Sequence, residues 1–286
     1  MTMDNLVSLN NLSKSYGKIQ ALSNITFQIP TGRIIGLIGP NGSGKTTLLR
    51  AMTGLIDYEG SISMLGVEPK VSRSELMENT GVIHDISVLP PWMKVSQVVE
   101  FKAGVQSAFN YDKCVKFLDK TSIKMDSKVK HLSKGMKTQL HLALVLATDT
   151  KLLILDEPTH GLDILFRKEL YSNVLEEYFD NNKSVIISTH QVEEVEHILS
   201  DVIFLKDGYA ILYDSVENLK SKYYQLIASD KHIDTIRKMN PITEHSFFGK
   251  RVFLLENADR EKLESMGEVS SPSIADIFVA IMGGKS

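Results

Sequence analysis

Gly39-Pro40-Asn41-Gly42-Ser43-Gly44-Lys45-Thr46 follows the pattern GxxxxGK closed by Ser or Thr. Residues of these types in this order serve one chemistry, the holding of a polyphosphate. Glycines let a loop wrap tightly enough for successive backbone N–H groups to point inward at phosphate oxygens. A helix opening near Lys45 adds the partial positive charge of its N-terminus. Lys45 can then bridge the β- and γ-phosphates, and Thr46 can offer its hydroxyl to magnesium. A chance match arises in roughly one chain per hundred of this length at average residue usage, and a strand before and a helix after lower that further. A nucleotide with Mg2+ is the expected ligand of the loop, with these eight residues and Thr47 beside them as its contacts; the loop alone could belong to a kinase, a GTPase or a motor.

Two carboxylates stand at the end of an apolar run, Leu152-Leu153-Ile154-Leu155-Asp156-Glu157. Asp156 falls at the carboxyl end of a strand, where open α/β sheets bind ligands, and is expected to hold magnesium directly or through water. Glu157, one residue on, is placed to polarise the water that attacks the γ-phosphate. Many strands end in acidic turns, so this pair gains its meaning from the phosphate loop. Between the two motifs lies Leu132-Ser133-Lys134-Gly135-Met136. Ser133 reads as a helix N-cap, and Gly135 permits close backbone approach at that helix start. A capped helix N-terminus is also what an anion site requires. His190 follows another apolar run in Ser188-Thr189-His190.

The elements that must position these groups alternate. Residues 6–12 and 25–29 read as short strands, with a turn at Pro30-Thr31-Gly32, and 33–38 as a strand leading into the loop. Residues 45–53 read as a helix, with Gly54 where a C-terminal cap is common. Runs 151–155 and 183–188 suit buried parallel strands. The helix between them is suggested by Phe166, Leu170, Val174 and Tyr178 on one face. From about 85 to 147 strand signals give way to helical periodicity. After about 215 the pattern restarts, with strands at 223–228 and 251–255 and helices at 233–239 and 260–266. Strands alternating with helices imply a mainly parallel α/β core.

Composition narrows the class. A net charge of -3 over 286 residues gives no electrostatic reason to expect nucleic acid. The single cysteine, Cys114, reads as an apolar filler and fits a reducing compartment. No segment reaches the roughly 18–20 uninterrupted apolar residues that span a bilayer, and the N-terminus does not read as a secretory signal.

In this order the motifs resemble the ATPase subunits of ABC transporters, over about three quarters of the chain. The family signature reads LSGGQ; here it is LSKGM, a spelling similar to that of bacterial exporters of antibiotics, lipids and polysaccharides. The late stretch Pro272-Ser273-Ile274-Ala275-Asp276-Ile277-Phe278 also looks like that branch. The resemblance implies a P-loop NTPase core at 1–215 with a helical subdomain at about 86–147, and a small α+β appendage at 216–286. It implies that Tyr16 stacks on adenine, that His190 contacts the γ-phosphate, and that Glu157, His190 and Lys45 carry the catalysis. It implies that Ser133, Gly135, Met136 and Asp163, in Gly161-Leu162-Asp163, act on the ATP of a partner subunit. Where the family places a glutamine that helps bind magnesium, this chain aligns Asp85, with His84 as the neighbouring alternative. Aspartate is a hard oxygen ligand but cannot donate a hydrogen bond when ionised.

The implied partners are a separate transmembrane permease and a second ATPase subunit, a copy of this chain or a sister chain, with no nucleic acid. The implied location is the cytoplasmic face of the cell membrane. Val88-Leu89-Pro90-Pro91-Trp92-Met93 has the composition of an interface hot spot; the alternative packs Trp92 in the subdomain core. Two competing readings are a soluble ABC ATPase outside transport and a catalytically weak partner in a heterodimer. A single ATPase unit and the absence of sustained heptads oppose the first, and Glu157 with His190 opposes the second.

Overall fold

The computed structural model describes residues 5–84, 89–159, 162, 164–180 and 182–283. Its elements begin with β1 (Asn5–Tyr16), β2 (Ile19–Pro30), β3 (Ile34–Ile38), α1 (Lys45–Met52), β4 (Glu59–Met64), α2 (Arg73–Glu78) and β5 (Thr80–Ile83). Helices α3 (Val95–Val105), α4 (Tyr111–Asp119) and α5 (Lys134–Leu146) follow. Then come β6 (Leu152–Asp156), α6 (Ile164–Glu177), β7 (Ser184–Thr189), β8 (Asp201–Lys206) and β9 (Tyr209–Ser215). The last stretch holds α7 (Val216–Lys222), β10 (Tyr223–Ala228), α8 (Ile233–Arg237), β11 (Thr243–Phe247), β12 (Lys250–Glu256), α9 (Arg260–Glu264), β13 (Gly267–Ser270) and α10 (Ile274–Gly283).

The central sheet has the order β5-β6-β7-β3-β8-β9. All its neighbours pair parallel except β9, which returns antiparallel along β8. Alternate side chains of its strands enter two different cores, as the two-residue period of a strand requires. Ile34, Ile38, Leu153, Leu155, Val185 and Ile187 pack towards α5 and α6. Ile35, Leu37, Leu152, Ile154 and Ile186 pack towards α1 and the antiparallel sheet β2-β1-β4. Covered on both faces, β3 and β6 are buried at every residue. This burial fixes the strand ends from which the loop and the two carboxylates project.

The first strands are longer than their apolar pattern suggests. β1 and β2 run on to a hairpin at Gly17-Lys18 through exposed polar residues, held by backbone pairing rather than by burial. Helix α1 stops where expected. Gly54 takes φ 65°, its N–H donates to the carbonyl of Ala51, and the N–H of Leu55 donates to that of Arg50. This double closure satisfies the helix's last carbonyls.

Helices α3–α5 occupy the predicted helical region. Trp92 is 70% exposed, so the alternative that packs it in the core of that region is corrected: Leu89 and Met93 pack against the core instead. Cys114 is fully buried, and burial pushes its thiol up to about 12, the state of an inert filler.

Strands β10–β13 form a separate antiparallel sheet in the order β11-β12-β10-β13, with Leu226, Ile236, Phe253, Leu255 and Leu263 as its own core. The chain then returns. The Phe278 ring of α10 meets Phe204 edge-on at 5.2 Å, and Lys206 Nζ donates to the carbonyl of Met282 at 2.7 Å.

Candidate functional site

The loop between β3 and α1 depends on Gly44, which takes φ 105° and ends against the carbonyl of Ala21. A Cβ there would lie 2.7 Å from that oxygen, so no other residue fits both the backbone and the space. The loop lines a cleft of about 670 Å³ with Asn41, Gly42, Ser43, Lys45, Thr46 and Thr47. Glu157, His190, Asp207 and Gly208 face it, along with Ile19, Gln20 and Ala21 from the start of β2. The first N–H groups of α1 open here, and a helix start leaves such groups without intrahelical acceptors.

Lys45 is only 6% exposed, yet its ammonium is fully engaged. Nζ donates to the carbonyls of Gly39 at 2.8 Å and Pro40 at 3.3 Å, and lies 3.1 Å from Glu157 Oε1. The buried Ser43 hydroxyl has no hydrogen-bond partner among the described residues. An orphaned hydroxyl beside a buried lysine in a loop of N–H donors fits a phosphate group.

The two carboxylates leave β6 in different directions because Glu157 adopts φ 48°, a conformation that costs a non-glycine residue of order 1–3 kcal/mol. Ser188 at the end of β7 holds both. Its hydroxyl donates to Asp156 Oδ1 at 2.6 Å and accepts the N–H of Glu157 at 3.0 Å, and its carbonyl accepts the same N–H at 3.1 Å. Asp156 Oδ1 also accepts from the Thr46 hydroxyl at 3.3 Å. Glu157 Oε2 lies 2.9 Å from His190 Nδ1. Lys45, Thr46, Asp156, Glu157 and His190, distant in sequence, thus share one cluster.

Among the described residues no group of three or more His, Cys, Asp or Glu could hold a metal. Magnesium does not need one: it is held by one or two protein oxygens, with water and substrate phosphates completing its shell. The adjoining oxygens of Thr46 and Asp156 are the hard donors such a site requires.

Other expected contacts lie apart. Tyr16 pairs across the hairpin with Ile19, which lines the cleft, but Tyr16 itself is not among the described lining residues; its exposed ring sits 5.2 Å from the ammonium of Lys14. Ser133 caps α5, accepting the N–H of Met136 at 3.2 Å. Neither it nor Gly135 or Met136 lines the cleft of its own chain. Asp85, Gly161 and Asp163 lie outside the described residues.

Sequence reasoning missed two organising residues. Ser188 stands two residues before His190 with no motif to mark it, although a hydroxyl at the end of a buried strand must find a partner. Arg167 donates to the carbonyl of Leu162 at 2.8 Å and to Gln191 Oε1 at 2.9 Å, and pairs with Glu194. It ties the start of α6 to the segment after His190, and no motif marks it.

A parallel sheet with a phosphate loop after β3 and a carboxylate pair after β6 defines a P-loop NTPase. Residues 22–160 match the family model described as ABC transporter. The chain is 35% identical to the lantibiotic transport ATP-binding protein SrtF of Streptococcus pyogenes, over 79% of this chain and 99% of that protein. It is 29% identical to the ABC transporter ATP-binding protein YtrB of Bacillus subtilis, over 98% of this chain and 99% of that one. Identity to the Nod factor export ATP-binding protein I of Burkholderia lata is 33%, over 72% and 69%. A solved ATP-binding subunit of an ABC transporter superposes with a TM-score of 0.67, covering 76% of this chain and 92% of that chain at 24% identity, a likeness of fold. The chain belongs to the ATP-binding subunits of ABC transporters. It binds and hydrolyses ATP.

Proposed function

We propose that this subunit drives an exporter from the cytoplasmic face of the membrane. In this reading two ATPase subunits, copies of this chain or this chain with a sister, sandwich ATP head to tail and move a separate permease.

The Lys45 loop holds the β- and γ-phosphates while Thr46 and Asp156 hold magnesium, which supplies charge neutralisation on the phosphates when bound. Glu157 orients the attacking water and takes its proton as the new P–O bond forms. The bond to the leaving ADP oxygen breaks, and phosphate departs. His190 positions the Glu157 carboxylate and faces the γ-phosphate. Ser133 and Gly135 present the N-terminus of α5 to the ATP of the second subunit, with Met136 and Asp163 acting on the same ATP. Asp85 adds a magnesium ligand in place of the family's glutamine. Tyr16 stacks on adenine. Hydrolysis removes the γ-phosphate contacts and opens the pair, a ligand-driven switch between two states.

One observation carries the two-subunit reading: Ser133 and Gly135 start a helix outside the cleft of their own chain. Gly135 weakens that helix with no steric need, since a Cβ there would meet nothing nearer than 3.8 Å. Close approach by a group from outside the chain gives the glycine a purpose. Export, rather than import, is supported by the LSKGM spelling and by relatives named for lantibiotic transport and Nod factor export. Among the described residues no helix is long and apolar enough to cross a membrane; in this reading the pathway belongs to a separate chain. That chain docks at the groove beside Leu89, Pro90, Trp92 and Met93.

Affinity purification of the tagged protein from gently solubilised membranes tests this. A stoichiometric multi-span membrane protein is expected. Ribosomal or DNA-repair proteins with no membrane protein would replace the reading with a soluble ABC ATPase.

A further inference from the structure

The helical region carries a charge of its own. Residues 113–137 hold eight lysines, two aspartates, no glutamate and no arginine, a net charge of +6 in a chain whose total is -3. The remaining residues therefore total -9. Lys116, Lys120, Lys124, Lys128, Lys130 and Lys134 are exposed. Charge segregated in this way favours an anionic partner on one side of the molecule.

Backbone pairing concentrates part of that charge beside Trp92. Segment 91–96 runs antiparallel to segment 125–130: the N–H of Val129 donates to the carbonyl of Met93 at 3.0 Å, and that of Val95 to the carbonyl of Ser127 at 2.9 Å. Between these bonds Lys94 and Lys128 face each other as partners in an antiparallel bridge. Two residues so placed send their side chains to the same face, with Cβ atoms about 4.5–5.5 Å apart. On the opposite face Val95 and Val129 are buried, and Met93 packs against the core. The N–H of Lys130 donates to the carbonyl of Pro91 at 2.9 Å, which brings this third exposed lysine next to Trp92. Like charges directly opposite each other destabilise a pair of strands. No hydrogen bond or ion pair neutralises the ammonium of Lys94, Lys128 or Lys130 among the described residues. An anionic surface laid over them would relieve the repulsion.

The composition says which surface. Arginine is the side chain for bidentate contact with a fixed carboxylate or phosphate, whereas lysine is a hydrated point charge on a flexible stem. A patch made only of lysines suits many loosely placed anions. A tryptophan among them suits the edge of a bilayer, where its ring meets apolar groups and its N–H meets water or headgroups. None of the three lysines is among the described lining residues of the groove proposed for the permease, although Trp92 stands at its rim. We infer that Lys94, Lys128 and Lys130 rest on the anionic phospholipid headgroups of the membrane surface, with Trp92 at headgroup depth, as an adhesion separate from the permease contact. This rests on the membrane location proposed above. Each lysine near such a surface strengthens binding about fivefold, and the gain fades within a Debye length of about 8–10 Å.

The test mixes the purified full-length protein with vesicles of phosphatidylcholine, with and without phosphatidylglycerol. Binding is read by cosedimentation and by the emission of Trp92, the only tryptophan of the chain. Binding is expected to the phosphatidylglycerol vesicles alone, with a blue shift of that emission, and is lost at about 1 M salt, where the Debye length is about 3 Å. Lys94→Gln, Lys128→Gln and Lys130→Gln combined should lower it about hundredfold, with basal ATP turnover unchanged as the sign of an intact fold. Lys94→Arg, Lys128→Arg and Lys130→Arg combined should keep it. Equal binding to neutral vesicles, or undiminished binding by the glutamine variant, would overturn the inference. So would an RNA oligomer bound as tightly as the charged vesicles, because the patch would then be a nucleic-acid surface. A multi-span membrane protein that still copurifies from cells while the charged vesicles are not bound would remove the lipid contact and leave the docking reading intact. Neither vesicle binding nor a copurified membrane protein would overturn both.

Discussion

Glu157 divides its carboxylate between two cations or potential cations: Oε1 lies 3.1 Å from Lys45 Nζ and Oε2 lies 2.9 Å from His190 Nδ1. The phosphate loop and the end of β7 are thereby joined through one side chain. If His190 serves by aiming that carboxylate at water, His190→Ala leaves ATP binding within about twofold and lowers turnover about 10²–10⁴-fold, the range for a lost acid–base group. Single-turnover hydrolysis beside equilibrium ATP binding reads the two effects separately. A variant that turns over like the parent removes His190 from the chemistry.

Lys45 is expected to act on binding instead. Its ammonium already sits among the loop carbonyls, where phosphate oxygens would compete for it. Lys45→Ala removes charge-assisted hydrogen bonds of about 1.5–3 kcal/mol, and ATP affinity should fall about ten- to hundredfold by calorimetric titration. Unchanged affinity would contradict the phosphate-loop assignment.

Gly135→Ala separates stability from function by sign. Alanine in place of a helical glycine stabilises by up to about 1 kcal/mol, and the nearest atom to the added Cβ is 3.8 Å away. The melting temperature should rise by about 2–4 °C. ATP turnover should nevertheless fall, because the Cβ occupies the approach of the second subunit's nucleotide. Full activity in the more stable variant would mean that the glycine serves no partner.

His141 gives the protein an acid sensitivity of its own. Its folded-state value near 4 lies below the ordinary histidine value of 6.5, so between these values the unfolded chain binds more protons. Stability is unaffected above pH 6.5, falls as pH drops through that window, and stops changing from this source below 4. The full loss is up to about 3 kcal/mol. His141→Leu should therefore flatten the pH dependence of denaturant unfolding between pH 6.5 and 4. A variant as acid-sensitive as the parent would place the effect elsewhere.

The chemistry was more legible in the sequence than the frame around it. Glycine spacing and an acidic pair after an apolar run are local signals, and the fold brings Lys45, Thr46, Asp156, Glu157 and His190 into hydrogen-bonding range. The outer halves of β1 and β2 were not legible, because backbone pairing between exposed polar residues leaves no hydrophobic period. Ser188 was invisible as an organiser since its role depends on β6 and β7 being neighbours in the sheet. Nor could the sequence show that Trp92 stands outside the helical core or that α10 returns to Phe204. Both depend on packing between segments far apart in the chain.

ATP turnover and ATP binding by Glu157→Gln, measured on one preparation, test the central claim most directly. Glutamine keeps the shape of the side chain and removes its capacity to take a proton. The expected result is ATP affinity equal to or above the parent's, hydrolysis lowered by at least about 10²-fold, and ATP-dependent accumulation of the closed pair of subunits in light scattering. Hydrolysis at the parent's rate would contradict the account, because the water would then be activated by some group other than the carboxylate that Lys45 and His190 hold in place.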